Sequence, residues 1–436
     1  MNIDSPNRLA TEMVDESKGV FRVARDAYTD PDVFEAEMAS IFEGGWIYVC
    51  HESQIADHGD YYATQAGRQP IFLIRQADGG IGGFIDACSH RGAVLTRARR
   101  GTMKTIMCRF HGWCYDTTGA CTLIKNEAGG WPDGVDRGRF SLRAIPKVES
   151  YKGFVYASLS GDVPSLGEAL GESRAFIDLM ADQSPDGMEI VPGNQSYMIN
   201  GNWKLQAENG VDGYHVSTVH RVFARAVAKR EAMGDKGEMR KTEAARITGE
   251  VETGVYDLGG GHMLLWAQRG NPEVAPLAEK LDWLNATYAE SKVDWMLRKG
   301  RNLFLFPNVF LMDQSSTQIR VIIPHTVDRT EVRTYCIAPK GESRKARAAR
   351  LRKFEDFFMV TGMATPDDMA ALEDVQRGSN GRLAPWNEMD RGVGKVIPGA
   401  DTATASLGAN PVTSNPDWDS ETLFHGFYRE WARVMR

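Results

Sequence analysis

A chain of 436 residues exceeds what a single hydrophobic core usually organises, so two domains are expected, one of them split by the other. With 42% hydrophobic and 25% charged residues it reads as an ordinary globular protein, which excludes a disordered or fibrous one. A formal charge of −7 argues against a nucleic-acid partner, and six cysteines in so long a chain point to metal ligation or free thiols rather than a disulfide framework.

In chain order, Met1-Asn-Ile-Asp-Ser-Pro lacks the basic start and apolar run of a signal peptide, and no run of about 18 apolar residues follows anywhere, so a cytoplasmic protein with no membrane partner is expected. Asp30-Pro31 reads as a helix start, with Phe34, Met38 and Ile41 at helical spacing and Gly44-Gly45 as the stop. From Trp46 to about Ser160 the pattern is short strands: Ile71–Ile74 and Gly83–Ile85 flank the hairpin signal Asp78-Gly79-Gly80, and Gly153–Ser158 closes the stretch. Beyond it, Ser165 to Met180 reads as helix and Ser196–Asn200 as strand. Further strands are expected at Glu250–Tyr256, His262–Gln268, Leu303–Asp313, Gln318–Pro324 and Val332–Ala338, the last two joined by a turn at Asp328–Thr330. Ser343 to Val360 is a helix with Leu351, Phe354, Phe357 and Phe358 on its apolar side, and its basic run Arg344–Lys353 is read as one solvated face. Thr365-Pro366 opens another helix, Gly378 to Asn415 reads as a long surface excursion, and an amphipathic helix from Leu423 to Val434 ends the chain.

Two clips stand out in the strand-rich stretch: Cys88-Ser-His90 and, after seventeen intervening residues, Cys108-Arg-Phe-His111. Each offers one thiolate and one imidazole. A zinc site can use two of each, but zinc fingers usually place both cysteines in one clip. The mixed clip fits a [2Fe-2S] cluster with one iron on two Cys and the other on two His, which raises the reduction potential to roughly −150 to +300 mV. Gly92 and Gly112 would let backbone approach the cluster, and Trp113 would shield it. Cys114 and Cys121 are read as free thiols.

A second stretch holds His215 and His220, with Asp212 three residues before the first. On a helix Asp212 and His215 share a face, whereas residues five apart do not, so a metal held by both histidines requires the helix to bulge or break. Two imidazoles with one carboxylate suit an iron that keeps positions open.

The clips and the following Gly112-Trp113 resemble the Rieske motif of aromatic-ring-hydroxylating oxygenases. Ala93 and Phe110 stand where respiratory Rieske proteins carry an extra cysteine pair. Glu208, Asn209, Asp212, Tyr214, His215 and His220 match the same family's mononuclear-iron motif. Those residues, with Gly261–Trp266, Pro307–Gln314 and Gly362–Asp368, are most similar to the large (alpha) subunits of benzoate, toluate and anthranilate 1,2-dioxygenases. The resemblance implies an α+β chain, with an all-β Rieske [2Fe-2S] domain inserted in a helix-grip catalytic domain that has a curved antiparallel sheet. Residues 1–44 would be the N-terminal helical part of the catalytic domain, 45–160 the Rieske domain and 161–436 the catalytic domain. It further implies Cys88, His90, Cys108 and His111 as cluster ligands, and His215, His220 and Asp368 on a mononuclear Fe(II), with Asp367 and Asp374 as competing carboxylates.

The implied assembly is a homotrimer core, commonly with three small beta subunits, in which the cluster of one subunit faces the iron of its neighbour. Asp212 would then bridge His111 of one chain and His215 of the next. The implied reaction is O2-dependent cis-dihydroxylation of a small aromatic substrate, with electrons from NADH through a separate reductase, with or without a ferredoxin. Gly259-Gly-Gly261 lacks the spacing of a nucleotide-binding loop, so NADH is assigned to the partner. A ring carboxylate would need a charge partner; Arg320 and Arg301 are the candidates, with Asn209 a further substrate contact. The rival readings are a Rieske monooxygenase (hydroxylase or demethylase) and a Rieske electron carrier without catalysis.

Overall fold

The computed structural model describes residues 12–233, 251–270, 272–314 and 316–436. The Met1–Pro6 stretch and Glu250, read above, lie outside them. The chain divides into two compact units: Met38–Leu166, and the described parts of Met1–Glu37 with Gly167–Arg436.

Met38–Leu166 is built on antiparallel strands. Gln69–Arg75 and Ile81–Ile85 pair with Arg75 opposite Ile81, and Gly79 supplies the positive φ of the turn between them. Phe72 lies opposite Phe84, and both belong to one buried cluster with Tyr61, Cys88, Cys108, Trp113 and Tyr115. Each large apolar side chain buried here stabilises the fold by roughly 1.5–3 kcal/mol. The two Cys-His clips are therefore anchored through their cysteines in the same core that holds the strands together. A second small sheet, Ile106–Met107, Cys114–Tyr115 and Cys121–Leu123, frames the second clip.

In the other unit one large sheet runs, in spatial order, through Met188–Ile190, Arg329–Pro339, Thr317–Thr326, Val309–Asp313, Lys299–Leu305, Met263–Gln268, Thr253–Asp257, Thr413–Asn415 and Ile397–Pro398. Gln195–Ile199 also pairs with Arg329–Pro339, and each pairing is antiparallel. The C-terminal helix Leu423–Val434 packs on this sheet, burying Leu423, Phe424, Phe427, Tyr428 and Trp431. Among the described residues no helix is long and apolar enough to cross a membrane.

Several sequence expectations change. Leu303–Asp313 is not one strand but a hairpin, Lys299–Leu305 against Val309–Asp313, because Pro307-Asn308 reverses an otherwise continuous apolar run. The expected helix from Ser165 is two, Leu166–Leu170 and Ser173–Ala181, interrupted where Gly171 takes a positive φ. Gly378–Asn415 is no mere excursion: Trp386–Glu388 pairs with Arg22–Ala24, and Thr413–Asn415 extends the large sheet. The basic helix Arg344–Lys353 is not wholly solvated either, since Arg350 is buried against Glu342 at 2.9 Å.

Candidate functional site

The two clips fold alike. The amide of Gly92 donates to the Cys88 carbonyl at 2.8 Å and that of Gly112 to the Cys108 carbonyl at 2.9 Å. Cys88 N–H donates to the Ala93 carbonyl (2.9 Å) and Cys108 N–H to the Trp113 carbonyl (2.8 Å). Both glycines close their turns with φ near +72°, a conformation that disfavours a side chain. The His90 and His111 rings approach to 4.6 Å between centroids, and Trp113 stacks on His90 at 4.7 Å. Cys88 Sγ lies 3.0 Å from the Tyr115 hydroxyl, which accepts from Ser89 N–H.

Burial pushes the Cys88 thiol up, only partly opposed by Tyr115, and desolvation with nearby His90, Arg91 and Lys125 keeps the His111 imidazole neutral. His111 Nδ1 is buried without a hydrogen-bond partner among the described residues. Two thiols, two imidazoles and an orphaned ring nitrogen fit a cluster with one Cys pair and one His pair.

The second constellation begins at helix Trp203–Asn209, capped by Asn202, whose side chain accepts from Lys204 N–H. The helix ends where Gly210 and Gly213 pass very close to other groups. A Cβ at Gly210 would meet the Phe310 ring at 2.3 Å, and one at Gly213 would meet the Trp418 carbonyl oxygen at 2.3 Å. Asp212 and His215 do meet, as their spacing suggests, but in a turn rather than on a helix face. Asp212 Oδ1 accepts from Tyr214 N–H at 2.7 Å, and Oδ2 accepts from His215 Nδ1–H at 3.0 Å. This holds the ring by Nδ1, so that Nε2 is the nitrogen offered to a metal once its proton is displaced. The expected break does not lie between the histidines: Val216–Val219 is one regular helical turn with His215 and His220 at its two ends, Val219 N–H donating to the His215 carbonyl and His220 N–H to that of Val216, and the next helix starts only at Arg221.

His215 Nε2 and His220 Nε2 are 3.3 Å apart, and Asp368 Oδ1 lies 3.4 and 3.2 Å from them. Asp368 arrives from the first turn of helix Thr365–Ser379, where Pro366 presets the backbone. These are the His/Cys/Asp/Glu groups that, among the described residues, place three ligand atoms within 4.8 Å of one another. Asp367 is outside that set, and Asp374 is an exposed residue paired with Arg377.

Asn209 Nδ2 donates to Asp368 Oδ1 at 3.3 Å, so its amide is turned to the carboxylate. Burial works against the His215 imidazolium, yet Asp212 and Asp368 overcome it and raise it to about 10; both histidines hold Asp368 well below the usual carboxylate range despite burial. The site thus demands positive charge, and two imidazole nitrogens with one carboxylate oxygen form a donor set suited to Fe(II).

This set opens on a cavity of about 700 Å³ with its mouth included, walled by Phe223, Leu265, Met312, Phe357 and Phe358 and also reached by Asn209, Asn302 and Arg320. Leu265, Asn302, Met312 and Gln318 are register partners across four strands, so one face of the sheet forms this wall. The helix ahead of Thr365 finishes in a π turn, Phe354–Phe358, which sets Phe357 6.0 Å from His220 and 5.1 Å from Phe223.

The expectation for Arg301 is corrected. It pairs across the strands with Trp266 and Asp313, one residue out of phase with Asn302, and so lies on the opposite sheet face. Its guanidinium is committed to Asp313 at 2.6 Å and to the carbonyl of Lys299. Sequence reading missed Asn302, Leu265 and Met312, although the strand alternation that carries them was available.

Residues 45–149 match the Rieske [2Fe-2S] domain family, and residues 189–436 the family described as ring hydroxylating alpha subunit, catalytic domain. The chain is 44% identical over 423 residues to toluate 1,2-dioxygenase subunit alpha of Pseudomonas putida, covering 97% of this chain and 92% of that one. It is 39% identical over 427 residues to the anthranilate 1,2-dioxygenase large subunit of Acinetobacter baylyi, covering 96% and 90%. Its fold matches naphthalene 1,2-dioxygenase from Rhodococcus sp. bound to indole, with TM-score 0.83 at 24% identity over 95% of this chain and 94% of that one. The double cysteine-histidine clip and the converging pair of histidines with a carboxylate thus sit in a chain that belongs to the ring-hydroxylating alpha-subunit family, an aromatic-ring dioxygenase with a Rieske [2Fe-2S] domain and a mononuclear-iron catalytic domain.

Proposed function

We propose that this chain is the large subunit of a terminal oxygenase that cis-dihydroxylates an aromatic ring bearing a carboxylate. The toluate and anthranilate dioxygenase subunits named above, and a 2-halobenzoate 1,2-dioxygenase large subunit from Burkholderia cepacia at 40% identity, are named for aromatic acids. The observation that carries the reading is the convergence of His215, His220 and Asp368 on the edge of a largely apolar cavity. Overall, one aromatic acid, one O2, one NADH and one proton give the cis-dihydrodiol acid and NAD+. The reading assigns NADH to a separate reductase, and includes a small beta subunit and a trimeric core.

In this reading Cys88, His90, Cys108 and His111 hold the cluster, and His215, His220 and Asp368 hold Fe(II). The cluster would pass single electrons and the iron would activate oxygen, which is the chemistry the bound metals supply. Asp212 holds the His215 ring by Nδ1 so that Nε2 is the atom aimed at the site, and Asn209 holds Asp368 by its side-chain amide. The apolar walls seat the ring and exclude water. The Asp212 side chain is 27% exposed, so a neighbouring chain can reach it, which supports its role as a bridge to that chain's His111. The test is 18O2 turnover of benzoate-type acids with a reductase supplied: both label atoms are expected in one cis-diol. A single label atom would assign monooxygenation, and oxygen uptake that ignores the aromatic acid would remove the substrate assignment.

A further inference from the structure

Five arginines are buried among the described residues: Arg269, Arg301, Arg320, Arg333 and Arg350. Four have a carboxylate: Asp313 pairs with both Arg269 and Arg301 at 2.6 Å, Glu331 with Arg333 at 2.6 Å, and Glu342 with Arg350 at 2.9 Å. Arg320 is the exception. It is 4% exposed, its Nε has no hydrogen-bond partner, and its guanidinium forms no ion pair with any described residue. An unmatched guanidinium withdrawn from bulk water is costly, and proteins rarely keep one without a use.

Its place in the fold says what the use is. Arg320 stands two residues beyond Gln318 on Thr317–Thr326, opposite Phe310 and Thr334. By strand alternation it therefore shares the face that carries Met312, Asn302 and Leu265. It lines the same cavity as His215, His220 and Asp368. A fixed planar cation among apolar walls matches a ligand that is itself a flat ring with a planar anion, because a guanidinium gives a carboxylate two parallel N–H donors.

We propose that Arg320 receives the ring carboxylate of the substrate and sets the preference for aromatic acids over neutral rings. This deepens the proposed function and rests on it. The bound acid supplies the counter-charge that the protein itself withholds, and it fixes which edge of the ring lies toward the two histidines and the aspartate. Arg301, the same residue type two strands away, cannot do this because its parity and its Asp313 partner turn it elsewhere.

The test compares the iron-loaded enzyme with R320M and R320K, measuring anaerobic binding of benzoate and of benzamide, its uncharged analogue, by calorimetry, together with thermal melting. The parent should prefer benzoate and be stabilised by it. R320M should lose roughly 10- to 100-fold in benzoate affinity, the range of a charge-assisted hydrogen bond, with benzamide nearly unchanged. Ligand-free R320M should melt at or above the parent temperature, since a buried unpaired charge has been removed. Should R320M yield no soluble protein, R320K decides, since it keeps the charge but not the paired donors and must still lose about tenfold for benzoate. An unchanged benzoate-to-benzamide ratio in the deciding variant overturns the proposal and leaves the aromatic-acid reading in place. A parent enzyme that binds benzamide as tightly as benzoate overturns both.

Discussion

Asp212 and Asp368 show how one residue type serves two tasks according to what faces it. Asp212 touches His215 through Nδ1, the ring nitrogen that points away from the convergence, whereas Asp368 faces the Nε2 atoms of both histidines. Asp368→Asn removes a charge on which both imidazoles rely. Iron is expected to fall from about three atoms per chain to about two, with the cluster's visible spectrum intact. Asp212→Asn leaves the convergent atoms in place but removes the charge and leaves one acceptor oxygen for two donors, Tyr214 N–H and His215 Nδ1–H. Iron should stay near three per chain while turnover drops roughly 10- to 100-fold, the usual cost of losing such a partner. Iron analysis and steady-state rates on both variants check this, and parental turnover in Asp212→Asn would deny the aspartate its role.

At the scale of elements, the segment from Gly210 to His220 depends on two close approaches that no side chain permits. Gly213 is the stricter, because a Cβ there would strike backbone, the Trp418 carbonyl oxygen, and not a movable side chain. Gly213→Ala should therefore displace the turn that delivers His215. Mononuclear iron should be lost from the purified protein while the cluster spectrum persists; full iron content in the variant would show that the turn relaxes without moving the histidine. How much of this was legible in the sequence varies by element. The Asp78-Gly79-Gly80 turn announced its hairpin, whereas the break expected between the histidines is absent, since they stand at the two ends of one regular turn. The Pro307-Asn308 reversal went unread because apolar residues continue on both sides of it, and the strands at Trp386–Glu388 and Thr413–Asn415 are too short to show a period of two.

Across the catalytic unit, distant parts of the chain are tied by a buried ion pair. Lys204 and Glu37 are fully buried and bonded to each other, and Glu37 also accepts from Trp203 Nε1 at 2.8 Å and Trp431 Nε1 at 2.7 Å. The N-terminal helix, the helix leading to the histidines and the C-terminal helix thus share one carboxylate. Burial pulls the Lys204 ammonium down, and Glu37 chiefly, with Glu208, opposes it. Glu37→Leu leaves that ammonium without its ion-pair partner and should destabilise the fold by about 3–5 kcal/mol in denaturant unfolding, with most of the loss recovered in the Glu37→Leu, Lys204→Met double variant. A single variant as stable as the parent would show that the pair is dispensable.

The sequence by itself determined the chemistry available: the Cys-His clips, the His pair and the family pattern are local, and spacing along the chain is enough to show them. Tertiary structure alone decided which distant groups meet. That Asp368, rather than Asp367 or Asp374, faces both histidines depends on how two helices pack. That Arg320 enters the cavity while Arg301 turns away depends on strand register, because a one-residue change of phase sends a side chain to the other face, and phase is set by the neighbouring strand.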